Sequence, residues 1–260
     1  MSSAPTPYPE AITGWLTGGG QRRILDLGSG RAGLALMLTA DGHEVVCLDQ
    51  DVAAMSTLAE RVDPTGQGHG LNPTPVAGEA NGLPFADQTF DVVTCAQVLH
   101  RFAPGLVLEE VARVLRPGGH ISVVYHTRDD TVPWVKRLTR LVREFDPTVM
   151  SGDFGHGSIT ALEESPFFDR PERRNFRNWI PATRPQMLAM IERNPSMASL
   201  PEARREDLLR RVGELYDASA RAPEPLLLPW QVSCWRAGVD HSQMTFDGNH
   251  DDGLEIPLGF

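Results

Sequence analysis

The sequence predicts a doubly wound α/β domain. Between residues 20 and 130, short apolar runs bounded by turns alternate with helical stretches, and a glycine-rich turn directly follows the first apolar run. Parallel strands need a crossover, usually a helix, to bring the chain back to the starting edge of the sheet. The alternation therefore favours a largely parallel sheet that is covered by helices on both faces.

Buried strands are predicted where the apolar runs are short and flanked by turns. In chain order these strands are residues 23–27, 44–49, 90–95 and 121–125. The segment before the last one has helical periodicity, because Val107, Val111 and Val114 share one face and charged side chains the other. We expect this helix to cover residues 105–116 and to stop at the Pro117-Gly118-Gly119 turn.

The carboxyl-terminal half is organised differently. Its predicted helices are residues 132–145, 184–193 and 201–216, joined by Pro-rich connections. Residues 173–180 and 230–236 are candidate strands that would finish the sheet as an antiparallel pair. The final segment, 239–260, is polar, Gly-rich and acidic, and we expect it to be a flexible tail.

Charge and hydropathy exclude several classes of partner. The formal net charge is −10, and five acidic residues without any Lys or Arg lie after Val239. A chain without a basic stripe binds polyanions poorly, so we expect no nucleic-acid partner. No apolar run approaches the roughly 18 residues of a membrane span, and the first ten residues lack the basic and apolar regions of a signal peptide. We expect a cytoplasmic protein without a membrane partner, and the sequence leaves its oligomeric state open.

The cysteine pattern indicates neither a disulfide framework nor a metal site. Cys47, Cys95 and Cys234 are widely spaced and form no CxxC or Cys-His cluster. We expect them to pack as small apolar residues and expect no metal ion in the site.

The turn after the first strand has the glycine spacing of a nucleotide-binding loop. Gly28, Gly30 and Gly33 match the GxGxxG pattern, in which the backbone turns tightly and approaches a ligand closely. Asp49 closes the second strand about twenty residues later, where a carboxylate can accept both ribose hydroxyls. This spacing alone does not distinguish a dinucleotide from another nucleoside ligand.

Asp26 favours a positively charged ligand. It lies two residues before Gly28, at the carboxyl end of the first strand. Its carboxylate would repel a pyrophosphate that the following helix would otherwise attract, whereas it would attract the ammonium group of S-adenosylmethionine. The alternative is that Asp26 only braces the loop by accepting backbone hydrogen bonds.

Several segments together resemble the class I S-adenosylmethionine-dependent methyltransferases. Asp26-x-Gly28-x-Gly30 followed by Asp49 resembles the family's motif I and second-strand acid. Residues 78–93 resemble its adenine-contacting segment, and residues 110–119 resemble the helix and turn before its fifth strand. These segments cover about half of the chain in the family's order.

The resemblance implies a fold and a division of the chain. The expected fold is a Rossmann-like, seven-stranded sheet, mostly parallel with an antiparallel carboxyl-terminal hairpin, plus a helical lid insertion. The methyltransferase domain would be residues 1–238, with the helices that form the lid and acceptor pocket at about residues 131–217. Residues 239–260 would be the acidic tail.

The resemblance also implies which residues hold S-adenosylmethionine. The glycine turn would lie against its methionine and ribose, Asp26 near its ammonium, Asp49 on the ribose hydroxyls, and Glu79 with Ala80 on the adenine edge. The complete set of predicted cofactor residues is Asp26, Gly28, Ser29, Gly30, Asp49, Gln50, Glu79, Ala80, Cys95 and Ala96.

A narrower likeness is to the small-molecule group that includes the trans-aconitate methyltransferases. It is carried by residues 8–10, 96–102 and 127–135. The chain departs from the group where Arg101 replaces Trp, where Tyr125-His126 replaces Trp-Asn, and where Ala32 occupies the third glycine position of motif I. Because such positions border the acceptor pocket, the acceptor cannot be inherited from the group. The predicted acceptor residues are Tyr8, Arg101, Tyr125 and His126.

The expected activity is methyl transfer to the oxygen, nitrogen or carbon of a small molecule, with a carboxylate or a natural-product intermediate among the candidates. His100 is the candidate catalytic base or acceptor ligand, and a purely structural, hydrogen-bonded His100 is the alternative. Two other classes stay open: a catalytically silent S-adenosylmethionine-binding protein and a nicotinamide-dependent oxidoreductase. The oxidoreductase shares the GxGxxG letters and leaves Asp26 unexplained.

Overall fold

A computed structural model describes residues 8–61, 72–129, 131–145, 155–194, 197, 199–221 and 225–244. Its strands are β1 Arg23–Leu27, β2 Glu44–Asp49, β3 Thr74–Ala77, β4 Phe90–Ala96, β5 Leu115–Arg128, β6 Glu172–Ala182 and β7 Leu226–Gly238. Its helices are α1 Ala11–Thr17, α2 Gly33–Ala40, α3 Val52–Arg61, α4 Pro104–Val114, α5 Pro133–Arg143, α6 His156–Glu163, α7 Arg184–Glu192 and α8 Glu202–Ser219, with 3₁₀ turns at Leu99–Arg101 and His241–Gln243.

The strands form one seven-stranded sheet in the order β3-β2-β1-β4-β5-β7-β6. The pairs from β3 to β5 are parallel, and β7 runs antiparallel to both β5 and β6. The predicted mostly parallel sheet with an antiparallel carboxyl-terminal pair is therefore confirmed. Because β1, β2 and β4 are parallel neighbours, their carboxyl ends meet at one edge, which is where open α/β sheets bind ligands.

Helices cover both faces of the sheet, as the doubly wound prediction requires. On one face, α1, α2 and α3 bury Leu16, Leu38 and Leu58 against strand residues such as Ile24 and Val45. On the other face, α4 and α6 pack against strand side chains such as Leu25, Val93 and Val123, and α6 contributes Ile159 and Leu162 to the contact. Consecutive residues of β1 and β4 are buried almost throughout, which explains why these strands are apolar along most of their length: both faces are inside.

The helix before β5 is shorter than predicted. It ends at Val114 rather than Arg116, because Leu115 already pairs with Phe90 of β4 and the strand begins there. Gly119 lies within β5 at a register shift, where an added Cβ would stand 2.8 Å from the carbonyl oxygen of Asp91. The Pro-Gly-Gly segment is thus an irregular entry to the strand rather than a separate turn.

A third cluster of buried residues joins α5, α7 and α8. Leu138, Met187, Leu208 and Val212 are its most buried members. Tyr216 connects the cluster to the end of the sheet, because its hydroxyl donates to the carbonyl of Ala182 at 3.1 Å and accepts from the amide of Leu226 at 3.3 Å. The three helices lie within residues 131–217, where the lid helices were predicted. The same stretch of sequence also contains β6, which belongs to the sheet.

The first residues of the predicted tail lie against the domain. The amide of Asp240 donates to the carbonyl of Phe167 at 2.7 Å, and the ring of His241 bonds the carbonyl of Ala112 at 2.9 Å. Residues 245–260 lie outside the described residues, so the division at 238 and the flexibility of the tail stay predictions. Among the described helices, none has the length and apolar composition to cross a bilayer.

Candidate active site

A cavity of about 300 Å³ lies at the carboxyl ends of β1, β2 and β4. Predicted cofactor residues contribute much of its lining: Gly28, Asp49, Gln50, Glu79 and Ala80. The structure therefore brings together the glycine turn, the second-strand acid and the segment after β3, which are separated by up to about fifty residues in the chain. Asn81, Val98 and Phe102 also line the cavity and were not predicted from the sequence.

The glycine turn is held in a conformation that favours glycine. Gly28 has φ +69°, and an added Cβ would stand 2.5 Å from a methyl of Val98. The amide of Gly28 donates to the carbonyl of Leu48 at 2.7 Å, and the hydroxyl of Ser29 donates to the carbonyl of Asp26 at 2.5 Å. The backbone is exposed at Gly28 only because no side chain stands between the turn and the cavity.

Ala32 occupies a position for which glycine is better suited. It has φ +57°, directly before α2, and its methyl is fully buried against the α1–α3 side of the sheet. A left-handed backbone costs an L-residue about 1–2 kcal/mol, and burial of the methyl offsets part of this. The departure of Ala32 from the third glycine of motif I is thus compatible with the turn.

Asp49 fastens the glycine turn to the end of β2. One carboxylate oxygen accepts from the amide of Gly30 at 2.9 Å, and the other accepts from the amide of Asp51 at 2.9 Å. Each carboxylate oxygen has a second lone pair, so a half-buried Asp49 that lines the cavity can accept further hydrogen bonds.

Asp26 is buried at the end of β1, with 2% of its surface exposed. Its Oδ1 accepts a hydrogen bond from the hydroxyl of Thr94 at 2.7 Å. Thr94 is the residue of β4 that pairs with Asp26 in the sheet. Burial raises the pKa of Asp26 to about 6, the hydrogen bonds from Thr94 and Ser29 oppose the rise, and the charge of Asp49 adds to it. Burial is thus the main cause of the raised pKa, and both readings of Asp26, as a ligand of an ammonium group and as a brace of the loop, stay predictions.

Five predicted cofactor residues are not among the residues that line the cavity: Asp26, Ser29, Gly30, Cys95 and Ala96. Cys95 is wholly buried in the core beneath α4, and burial holds the pKa of its thiol well above its usual range. Ala96 is half-buried on the other face, against the α1–α3 side. By contrast Arg101, predicted to contact the acceptor, lines the cavity together with Asp49 and Glu79.

His100 lies in an exposed 3₁₀ turn after β4. Its amide donates to the hydroxyl of Tyr125 at 3.0 Å, and its Nδ1 is 3.4 Å from the same oxygen. Tyr125 also bonds the hydroxyl of Ser158 on α6 at 2.9 Å, and burial is the main cause that raises its pKa. This chain of contacts fixes the turn to α6, so the backbone of His100 has a structural role, and a role for its ring in catalysis stays a prediction.

Tyr8 and His126 lie together on the opposite face of the sheet from Tyr125. Their ring centroids are 5.7 Å apart and nearly perpendicular, and Trp230 contacts the imidazole from β7 at 5.1 Å. Burial lowers the pKa of His126 to about 4. The sequence indicated Tyr8 and His126 separately, and it had no signal for the participation of Trp230.

No cluster of His, Cys, Asp or Glu in the described parts of the chain has the geometry of a metal site. The three cysteines are free and buried.

Known methyltransferases match this chain in sequence. Residues 25–123 match the family model of a methyltransferase domain. An uncharacterised methyltransferase of Mycobacterium tuberculosis is 36% identical over 144 residues, which are 55% of this chain and 56% of that protein. A demethylmenaquinone methyltransferase of a Mycobacterium species is 39% identical over 102 residues, 39% of this chain and 40% of that protein. The chain thus spans about half the length, or less, of these curated relatives.

A solved structure shares the fold. It is a candidate type II methyltransferase from Anaeromyxobacter dehalogenans, with a TM-score of 0.63 and 20% identity, covering 91% of this chain and 98% of that chain. At this identity the likeness concerns the arrangement of strands and helices alone.

Proposed function

We propose that this chain is a class I S-adenosylmethionine-dependent methyltransferase that transfers a methyl group from S-adenosylmethionine to a small-molecule acceptor, because residues 25–123 match a methyltransferase domain and the sequence is similar to that of other methyltransferases. The family resemblance and the fold predicted from the sequence are confirmed. The likeness to the trans-aconitate methyltransferases is not specifically confirmed and stays a prediction.

The observation that supports this proposal most strongly is the pair of carboxylates that flank the glycine turn. Asp26 is buried with a raised pKa and Asp49 lines the cavity, and both lie where the turn would approach a nucleoside. A nearby cation would offset the unfavourable burial of the Asp26 charge, whereas a diphosphate would increase it. S-adenosylmethionine has an ammonium and a sulfonium group and no phosphate, so its charge suits this edge.

The residues of the cavity fit such a cofactor. Gly28 lines the cavity with its backbone alone, because Val98 packs where a Cβ would lie, and Asp49 retains lone pairs for ribose hydroxyls. Glu79 and Ala80 would border the adenine, with Asn81 beside them. Arg101 is the single cation among the described lining residues of this cavity, and it is balanced there by Asp49 and Glu79.

The bound cofactor supplies an activated methyl carbon on a positively charged sulfur. The chain therefore has to align the acceptor with that carbon, exclude water and, for a protic acceptor, remove a proton. We propose that α5, α7 and α8 form a lid over the acceptor, because their separate cluster lies in the segment that follows β5.

Ligand-induced thermal shift tests this proposal. The melting temperature should rise with S-adenosylmethionine and with S-adenosylhomocysteine, and should not change with NAD, because only a ligand of the native state stabilises it. A shift with NAD alone would favour the oxidoreductase and overturn the proposal. Incubation with methyl-labelled cofactor and a metabolite extract would then distinguish an enzyme, which labels a product, from a silent binding protein.

A further inference from the structure

His126 is half-buried near the end of β5, and its Nδ1 atom is buried without a hydrogen-bond partner among the residues that the structure describes. We call Tyr8, His126 and Trp230 the β5-end aromatic cluster. Tyr8 and Trp230 contact the imidazole edge-on, at interplanar angles of 80° and 81°. Edge contacts of this kind stabilise ring packing and give the Nδ1 atom of His126 no hydrogen bond.

An unpaired buried nitrogen is unfavourable for folding. A buried polar atom without a partner costs about 1–3 kcal/mol, and such atoms are uncommon in native proteins. A phenylalanine or leucine would fill the same space between the two aromatic rings without this cost. The imidazole is therefore better explained by a ligand that it contacts than by packing.

The backbone next to His126 is strained and holds it in place. Gln97, directly after β4, has φ +61°, in the left-handed region that a residue with a side chain seldom adopts. Its amide donates to the carbonyl of Val124 at 2.8 Å, and its side-chain amide donates to the carbonyl of His126 at 3.4 Å. Strained residues that are fixed by their surroundings are concentrated at functional sites.

The β5-end aromatic cluster also faces the proposed methionine end of the cofactor. Asp26 and Thr94 point to the same side of the sheet as Val124 and His126, because alternate residues of a strand share a face. Burial and then the charge of Asp26 raise the pKa of Tyr8, so the phenol lies within electrostatic reach of that carboxylate. Tyr8 thus connects the carboxylate that would bind the ammonium group with the imidazole.

We propose that the imidazole of His126 contacts the methyl acceptor and takes a proton from it, and that the acceptor is a neutral hydroxyl on a planar ring, such as a phenol. This inference rests on the proposed function. As the acceptor oxygen bonds to the methyl carbon, the carbon–sulfur bond breaks with its electron pair left on sulfur, and the hydroxyl proton passes to the imidazole. The positive charge of the sulfonium is thus replaced by that of the imidazolium, which then loses its proton to solvent.

The surroundings favour a neutral acceptor over a carboxylate. The low pKa of His126 results from burial, so the ring is neutral at physiological pH and offers no cation to an anion. Asp26, on the same face, would repel a carboxylate, and a desolvated charge without a partner is costly. Aromatic edges from Tyr8 and Trp230 suit a flat ring.

Labelled methyl transfer to simple phenols tests the inference. The wild-type protein should methylate 4-methylphenol and 4-cyanophenol and leave benzoate unmethylated. His126→Asn should lose roughly 10²- to 10⁴-fold in kcat with 4-methylphenol, the usual contribution of a general base. It should lose less with 4-cyanophenol, whose proton is easier to remove. An equal loss with both phenols, or preferred methylation of benzoate, would overturn the inference.

Two further measurements separate chemistry from folding. His126→Phe keeps the aromatic packing, so its thermal shift with S-adenosylhomocysteine should equal that of wild type while its kcat falls as in His126→Asn. In the complex with S-adenosylhomocysteine, the imidazole NMR signals of His126 should move when 4-methylphenol is added, and those of the exposed His156 should not. The inference would be overturned, and the proposed function left standing, by either of two results. The first is that the NMR signals of His126 do not shift when 4-methylphenol is added, and the second is that a protein that binds S-adenosylhomocysteine methylates neither phenol. Absence of S-adenosylhomocysteine binding in wild type would instead overturn the proposed function.

Discussion

The glycine-turn edge and the β5-end aromatic cluster are built on different principles. At the glycine turn, the turn and the end of β2 bond one another through backbone and carboxylate groups, as in the contacts among Asp26, Ser29, Gly30 and Asp49. In the aromatic cluster, three rings from distant parts of the chain meet with a ring nitrogen left unpaired. The comparison teaches that the first region is arranged before any ligand arrives, whereas polar pairing in the second is completed by a ligand.

Substitution at Gly28 should have the largest effect, because it tests whether the turn is rigidly arranged. In Gly28→Ala, the added Cβ meets Val98 at 2.5 Å and the backbone stays at a positive φ. We expect a loss of roughly 2–5 kcal/mol in the free energy of unfolding, measured by denaturant titration, and no thermal shift with S-adenosylmethionine.

Gly30→Ala is the matched control for Gly28→Ala. Gly30 also has a positive φ, but an added Cβ would meet nothing within 4 Å. Its loss should be limited to the backbone strain of about 1–2 kcal/mol. Equal losses in the two variants would show that close approach at Gly28 is unimportant and would weaken the idea of a pre-arranged turn.

Asp26→Asn should stabilise the free protein and weaken its cofactor binding. The folded-state pKa of Asp26 is raised to about 6 from 3.8, so the folded protein holds this proton more tightly than the unfolded chain. The associated stability is present below pH 4 and is lost as pH rises to about 6, with no further change above. At pH 7 the variant should therefore gain on the order of 2–3 kcal/mol in the free energy of unfolding.

The measurement for Asp26→Asn is denaturant titration from pH 4 to pH 7, with calorimetry of S-adenosylmethionine binding at pH 7. The wild-type free energy should decline across that range relative to the variant, since asparagine does not titrate. A variant that binds the cofactor as tightly as wild type would contradict the assignment of Asp26 to the ammonium group.

Asp49→Ala should weaken S-adenosylmethionine binding by roughly ten- to a hundredfold. Charge-assisted hydrogen bonds contribute about 1.5–3 kcal/mol each, and the variant loses those to ribose as well as the bond to the Gly30 amide. Calorimetric titration measures the change. Unchanged affinity would remove Asp49 from the binding site.

Tyr125→Phe should have the smallest effect on stability and cofactor binding. It tests whether the turn that contains His100 influences the cofactor cavity. The variant loses the hydroxyl that bonds the His100 amide and Ser158. We expect a loss of about 1–2 kcal/mol in the free energy of unfolding, with cofactor affinity changed by less than about threefold. Ser158→Ala removes one of the two contacts and should lose less. A large loss of cofactor affinity would show that α6 and the turn control the cavity.

Much of the fold could be predicted because burial leaves a local pattern. Apolar runs between turns predicted β1, β2 and β4 to within one residue, whereas β5, β6 and β7 extend the predicted strands at both ends, β5 by six residues at its start. The short β3 at Thr74–Ala77 was not separately predicted, since its four residues are only partly buried and include Pro75. The end of α4 was misplaced because pairing of Leu115 with Phe90, a contact between distant residues, outweighed the local turn signal.

The sequence by itself determined the glycine turn, its flanking acids and the alternating order of strands and helices, because turn conformation and periodic burial depend on residues near one another. Only the tertiary structure decided that Thr94 faces Asp26, that Arg101 joins the cofactor cavity, and that Tyr8, His126 and Trp230 meet. Strand register and long-range packing fix these neighbours, and neither leaves a local signal in the chain.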